Sequence, residues 1–472
     1  MATNNAASMP SVVLEALKEM GYSPDTSMAA SVESWWAWYT ATDSWYDHDE
    51  QVDGHTMRVK RLTLHPARRV CEEWASSILD DDGTKIGTDA EAVTELLDEW
   101  AGDTRFVPTA QKCLGRAFGV GTGALALWFD VRPTEGGATE TSIRARRYDA
   151  RMVVPLSWDD DGITDCAFVT RAYVDGAEVH QMQVHAMSDE TGTYHVLTRL
   201  FDAKDGREVT SDALIPDFDT MSERPTFAIL RPALDNVRAE GTYMGQSVFA
   251  DAIDAIKGVD GAFDSLVREI DATKVKIFMS DELFDMQVDK DGAYRPIPMS
   301  PENTVIRKVS DAGLSHMYEV YSPAIRSAAI SEAMNAALSQ LGSLTGFGAD
   351  HFRFDKTAGL RTATEVASDN AEFMRNVRKH ENELRPQLEG LLESVLVCQR
   401  ALNGWPVPDG CAVTVDFDDS IIQDTPAEKS QMLAEIAAGV VPAWMYLQRF
   451  YAMGEDEAKA LAAGPEVLDF GA

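Results

Sequence analysis

Cysteine is scarce in this chain. Its five residues, Cys71, Cys113, Cys166, Cys398 and Cys411, are odd in number, far apart and without a C-x-x-C pair. Such spacing argues against a disulfide framework and a zinc site, and predicts reduced thiols in a cytoplasmic setting. Long apolar runs are missing too: nowhere do 18 uninterrupted apolar residues occur, so no membrane-spanning helix is expected. The opening MATNNAASMPSVVLEALKEM lacks a basic n-region and a continuous apolar h-region, which argues against export. Basic charge is also short, with 42 Lys and Arg against 77 Asp and Glu, a formal net charge of -35 without a long block of one sign. A field of that sign repels nucleic acid on average. Any contact with DNA must therefore be local and basic, because only neutralised phosphates release counterions.

Catalytic signatures are absent as well. P-loop, G-x-S-x-G, H-E-x-x-H and deaminase motifs do not occur. Gly119, Gly121 and Gly123 in GVGTGALALWFDV are spaced like a phosphate cradle, but a dinucleotide fingerprint runs strand, glycines, helix, and here the order is helix, glycines, strand. The DHDE cluster at 47–50, with His55, offers nitrogen and oxygen ligands to a metal. Without a helical i, i+4 histidine pair, it reads as a solvated acidic loop. Asp416, Asp418 and Asp419 in VDFDDS sit at a strand end, where a nuclease holds magnesium, but no lysine or histidine accompanies them. Neither a metal nor a cofactor is expected.

What remains is the pattern of a folded α+β protein, with 45% hydrophobic residues and a length of 472, enough for two to four domains. From Ser11 to about Leu79 the periodicity is helical. It includes the aromatic run ESWWAWYTATDSWYDHDE, where Trp35, Trp36, Trp38, Trp45 and Tyr46 read as aromatic core or subunit contact ahead of a ligand platform. Residues 86–119 look helical again. From 142 to 230, short alternating runs separated by Asp-Gly and Thr-Gly turns predict antiparallel strands and hairpins.

The segment SVFADAIDAIKGVDGAFDSLVREIDA, 247–272, places Phe249, Ile253, Ile256, Phe263, Leu266 and Ile270 on one helical face and Asp251, Asp254, Asp260, Asp264 and Glu269 elsewhere. A proline-rich β module follows at 274–321, then an alanine-rich helix at 323–341. Another helix runs from Thr362 to about Leu402, started by a capping box of Thr362 and Glu365 and kinked at Pro386, which lacks a backbone donor. The strand CAVTVDF and three short helices end the chain. Between the last two long helices lies GSLTGFGADHFRFDKTAGLRTATEV, 342–366, a connector too long to be filler. It places Arg353 and Lys356 among Phe347, Phe352 and Phe354, with Gly346, Gly348 and Gly359 permitting backbone conformations that other residues resist.

The order of these elements, together with GQSVFADAIDAIKGVDGAFDSLVREID, GFGADHFRFD and GLRTATEVASDNAEFMRNVRKHENEL, resembles the portal proteins of tailed bacteriophages. The likeness is to those of long non-contractile-tailed phages of Gram-positive hosts. LHPARRVCEEWASSIL and IAAGVVPAWMYL through EDEAKAL are similar to the same group, so the resemblance covers most of the chain.

The resemblance implies the portal fold, mainly helical with β-rich wing and clip parts and a long kinked helix. It also implies a cyclic homo-oligomer of twelve subunits, or thirteen when recombinant, around an axial channel. The parts map to a wing (1–242), a first stem helix (243–273), a clip (274–322), a second stem helix (323–341), a tunnel loop (342–361), a long wing helix and strand (362–424) and a crown (425–472), whose shortness argues against a tall one.

Implied partners are double-stranded DNA without sequence specificity, the terminase large subunit, a head–tail adaptor, and the major capsid and scaffolding proteins, with no membrane. The implied place is the portal vertex of the virion, after assembly in the host cytoplasm, and no enzymatic activity is implied. Phe352, Arg353, Phe354 and Lys356 would then be the DNA-channel residues of the tunnel loop, the rings anchoring it and the two cations meeting phosphate, with Gly346, Gly348 and Gly359 as hinges. Tyr294 and Arg295 in DGAYRPIP would be partner-binding clip residues. Two other readings compete: a metal-dependent DNA-processing enzyme using the acidic clusters at 47–50 and 416–419, and a monomeric acidic binding module.

Overall fold

The computed structural model describes residues 9–52, 55–81, 83–133, 139–159, 162–211, 215–280, 286–288, 294–296, 305–308, 318–354, 363–417, 432–436, 441–451, 459 and 462. Helices α1 (Ser11–Glu19) and α2 (Ala29–Tyr39) precede an antiparallel hairpin of β1 (Asp47–Val52) and β2 (His55–Lys60), followed by α3 (Pro66–Ile78). The hairpin interrupts what the periodicity predicted as helix from Ser11 to Leu79. Its two strands flank Asp53-Gly54 in the sequence, a strong hairpin signal that the aromatic run before it obscured. Pro66 opens α3, where its missing N–H has no intrahelical partner to lose. Trp35, Trp38 and Tyr46 are buried, and the rings of Trp38, Trp45 and Tyr46 pack at 5.1–5.9 Å between centroids, an aromatic core.

Strand β3 (Lys85–Thr88) starts the region expected to be helical throughout, and α4 (Glu91–Thr104) and α5 (Phe106–Val120) follow. Helix α5 ends at Gly121, whose φ of 86° is left-handed. Gly121 and Gly245 approach so closely that a Cβ on either would overlap the other's carbonyl oxygen. The glycines therefore serve close packing of backbone on backbone.

Two antiparallel sheets follow. One orders β12 (Phe227–Leu230), β4 (Gly123–Pro133) and β5 (Thr139–Asp149); the other orders β10 (Glu208–Val209), β9 (Tyr194–Asp202), β8 (Ala177–Met187), β7 (Ile163–Val174) and β6 (Val153–Trp158), with β11 (Asp217–Asp219) also on β9. The turn between β7 and β8 is Asp175-Gly176, both at positive φ, which matches the twist of the strands it joins.

Helix α6 (Ile253–Ala272) and helix α7 (Ser327–Leu344) bracket a β module of β13 (Lys276–Ser280), β14 (Met286–Val288), β15 (Tyr294–Pro296), β16 (Val305–Lys308) and β17 (Tyr318–Tyr321). There β13 pairs parallel with β16 and antiparallel with β17. Helix α8 (Ala363–Asn403) carries Pro386 inside it. Strand β18 (Val413–Asp416) returns to pair with β3, a helical stretch lies at 432–436, and α9 (Ala443–Tyr451) follows. The main core joins α2, α3, α5, α6, α7 and α8, while α1 packs on the larger sheet around Val13, Leu17, Met182 and Val184.

Helix α6 departs from its expected amphipathic pattern. Ile256 and Val259 are buried, but Phe249 precedes the helix, Ile270 is 47% exposed, and Asp260 and Asp264, expected on the polar face, are 0% and 8% exposed. Hydrogen-bond donors explain the burial. Tyr46 Oη and Thr63 Oγ1 each donate to Asp260 Oδ2 at 2.7 Å, and the Leu64 N–H donates to Asp260 Oδ1 at 2.8 Å. One turn on, Asp264 accepts from the Leu62 N–H at 3.0 Å and from Arg268 Nε at 2.7 Å. Burial raises the Asp260 carboxyl above the usual carboxylate range, opposed by these donors. The segment 46–64 is thereby tied along α6.

Candidate functional site at the end of helix α7

Helix α7 stops in a Schellman motif. Gly346 takes φ 85°, its N–H donates to Ser343 O at 3.4 Å, and the Phe347 N–H donates to Gly342 O at 2.9 Å. Gly348, at φ 89°, donates to the same Gly342 carbonyl at 3.2 Å. Of the three expected hinge glycines, Gly346 and Gly348 thus hold a fixed turn, and Gly359 lies outside the described residues. The sequence reading missed Gly342, where a Cβ would overlap the Gly348 carbonyl oxygen.

The turn delivers Phe347 into a buried group of rings. Its centroid lies 4.3 Å from Trp74, 4.6 Å from His351, 5.1 Å from Phe352 and 5.4 Å from Phe373, the last nearly parallel. Trp74 is fully buried, and its Nε1–H donates to Thr345 O at 3.0 Å, while Asn376 Nδ2 donates to Gly346 O at 2.8 Å. Both bonds cap carbonyls at the helix end. His380 packs under Trp74 and Phe118, each 4.9 Å away, and accepts the Ala233 N–H on Nδ1 at 3.0 Å. Burial pushes its pKa down to about 3, so the imidazole is neutral. The root of the loop is therefore gripped by α3 and α8.

Beyond the root the surroundings become polar. His351 lies 3.5 Å from Glu73, Arg353 pairs with Asp350 at 3.2 Å with its side chain 38% exposed, and Phe354 is 66% exposed. The Phe354 N–H donates to Asn335 Oδ1 on α7 at 3.1 Å. Phe352 sits with the root rings while Phe354 does not, so the expected ring group divides. Phe347, Trp74, Phe373 and Asn376 do the holding. Trp74 lies 271 residues before Thr345, whose carbonyl it caps, and no local pattern links them.

Lys356 and Thr362 lie outside the described residues, as does the side chain of Glu365. Tyr294 and Arg295 are in β15, opposite Val288 and Gln287 of β14; their side chains lie outside as well. In the acidic cluster, His48 Nε2 meets Glu50 Oε1 at 2.9 Å and Arg268 also bonds Glu50. Asp416 is paired with Arg385 at 3.8 Å, and Asp418 and Asp419 lie outside the described residues. Among the described residues no group of three or more His, Cys, Asp or Glu is placed to hold a metal, and no helix is long and apolar enough to cross a membrane.

No curated protein matches the chain. The family described as "Phage portal protein, SPP1 Gp6-like" matches residues 38–463, from α2 through the C-terminal helices and including every element that builds the loop root. The chain therefore belongs to the phage portal protein family, here of the SPP1 Gp6-like type.

Proposed function

We propose that this portal protein assembles as a dodecameric ring at one capsid vertex, with an axial channel for packaging and ejecting double-stranded DNA. Family membership itself carries the coarser statement: a structural component of the virion capsid, homo-oligomeric, acting with capsid and DNA. In the finer reading, α6 and α7 form the stem, the β module between them is the clip that docks terminase and the head–tail adaptor, and residues 342–361 are the tunnel loop.

The observation that supports it is the division of that loop. Its root is sealed by Phe347 at 3% exposure, whereas Phe354 and the Arg353 side chain reach solvent at the far end. A segment packed at its root and carrying Arg353, paired with Asp350, toward solvent beyond it suits contact with a moving polymer. Twelve copies of Arg353 and Lys356 supply a sparse cationic ring that touches phosphate without reading bases. Screening keeps the contact weak, and the acidic charge of the rest of the chain keeps DNA from adhering elsewhere.

Mutant rings built into heads test this. Arg353→Ala with Lys356→Ala is expected to shorten packaged DNA or lower its retention, less so at high salt. Wild-type packaging and retention by that double variant would refute a role of these charges on DNA. Native mass spectrometry showing only monomers or dimers at micromolar concentration across salt conditions would refute the ring.

A further inference from the structure

Two surfaces flank α6 on different sides. Asp260, Asp264 and Arg268, one turn apart, face the 46–64 segment. Gly258 and Glu269 face α7: a Cβ on Gly258 would sit 3.2 Å from Ala337, and Glu269 pairs with Arg326 at 2.7 Å. At 3.6 residues per turn the two sets are centred roughly 130° apart around the helix. The order across this part of the protomer is thus hairpin, α6, α7.

Helix α6 holds the first strand of the hairpin, where Arg268 bonds Glu50 and His48, and the second strand is open to solvent. Among the described residues the hairpin strands pair with each other alone, and His55, Thr56, Met57, Arg58 and Lys60 are all exposed. Met57 is 53% exposed, and Leu62 and Leu64 just beyond it are 42% each, an apolar patch, while the neighbouring Arg58 pairs across the hairpin with Asp47 at 3.4 Å. On the far side, the outer face of α7 is concave. A cavity of about 410 Å³ is lined there by Ala328, Ser331, Glu332, Ala336, Ser339 and Arg353. Small side chains leave room for inserted apolar knobs, and the hollow holds one acid, Glu332, beside one cation, Arg353. One protomer thus carries the knobs on one side and the hollow on another. Such a pair of patches on different sides makes a head-to-tail contact that repeats.

We infer that the β1–β2 hairpin and residues 61–64 of one protomer seat on the outer face of α7 of a second copy of this chain. The inference rests on the ring reading above and adds which surfaces close it. The tunnel loop gains a neighbour by this contact, since Arg353 lines the same hollow.

A cysteine pair tests it in a Cys411→Ala background, where the remaining native thiols are buried. The variant carrying both Met57→Cys and Ser331→Cys is assembled, examined by native mass spectrometry, oxidised and run on a non-reducing denaturing gel. A covalent ladder above the monomer, missing from each single-cysteine variant, is the expected result. Rings without a ladder overturn this interface while leaving the ring reading intact; absence of rings from both the parent background and the pair variant overturns both. As a second arm, Ala336→Arg, at an exposed position, is expected to raise the concentration needed for assembly about tenfold with the circular dichroism of the protomer unchanged. Assembly at the parent concentration would count against the contact.

Discussion

Phe347→Ala is the sharpest probe of the loop root. The ring is 3% exposed and touches Trp74, His351, Phe352 and Phe373, so its removal opens a cavity between α3, α7 and α8. Truncating a buried phenylalanine costs about 3–5 kcal/mol. The Phe347 amide belongs to the Schellman turn, so the loss falls first on local opening of that turn. At about 1.4 kcal/mol per decade, the open fraction rises by roughly two to three and a half decades. Hydrogen exchange at the amides of Gly346, Phe347 and Gly348 reads this directly, since each donates to a carbonyl of α7. Phe354→Ala is the control: at 66% exposure it is expected to change stability by no more than about 0.5 kcal/mol and to leave those amides protected. Equal exchange in wild type and Phe347→Ala, or equal effects of the two truncations, would refute the claim that Phe347 anchors the loop.

Asp260→Ala strips the acceptor from the part-buried Leu64 N–H and is expected to cost about 1 kcal/mol for that group alone. Asp260→Asn is milder, because the amide oxygen takes the Leu64 N–H and the Tyr46 and Thr63 hydroxyls turn to accept; denaturant midpoints showing Asn as costly as Ala would sink this account. His185 and His380 are both buried with pKa values lowered to about 3, so the folded state keeps them neutral while the unfolded chain protonates them below about 6.5. Their stabilisation is therefore present above about pH 6.5 and lost as pH falls toward 3, by about 2 kcal/mol each at pH 5. Urea titrations at pH 7.5 and 5 check it: His380→Gln should flatten the pH dependence, and an unchanged slope would contradict the assignment. Tyr294→Ala with Arg295→Ala is expected to leave ring formation intact and weaken terminase or adaptor docking, and unchanged affinity in a pull-down titration would remove that role.

Local chemistry made much of the fold legible. Hairpins announced themselves through Asp-Gly turns such as 175–176, and β4 through its apolar run after the glycines. The long helix is close to its expected span, Ala363–Asn403 against 362 to about 402. Where reading failed, a stronger neighbouring signal masked a weaker one: the tryptophan-rich helix hid the 47–60 hairpin, and the pattern of 86–119 hid β3, whose partner β18 lies more than 300 residues on.

The sequence by itself determined the class of the protein, because family-bearing segments such as GFGADHFRFD and GLRTATEVASDNAEF, and the spacing of glycine, proline and apolar residues, are local properties of the chain. Only the tertiary structure decided which residues hold the loop and which face away. Phe347, Phe352 and Phe354 are alike in composition and neighbours in sequence, yet one is 3% exposed and another 66%. Asp260 and Asp264 look like solvent-facing carboxylates on an amphipathic helix, yet they lie buried beneath a strand-bearing segment some 200 residues earlier. Burial and hydrogen-bond partnership belong to surfaces brought together by folding, and a carboxylate becomes a core residue only when donors from elsewhere replace its water.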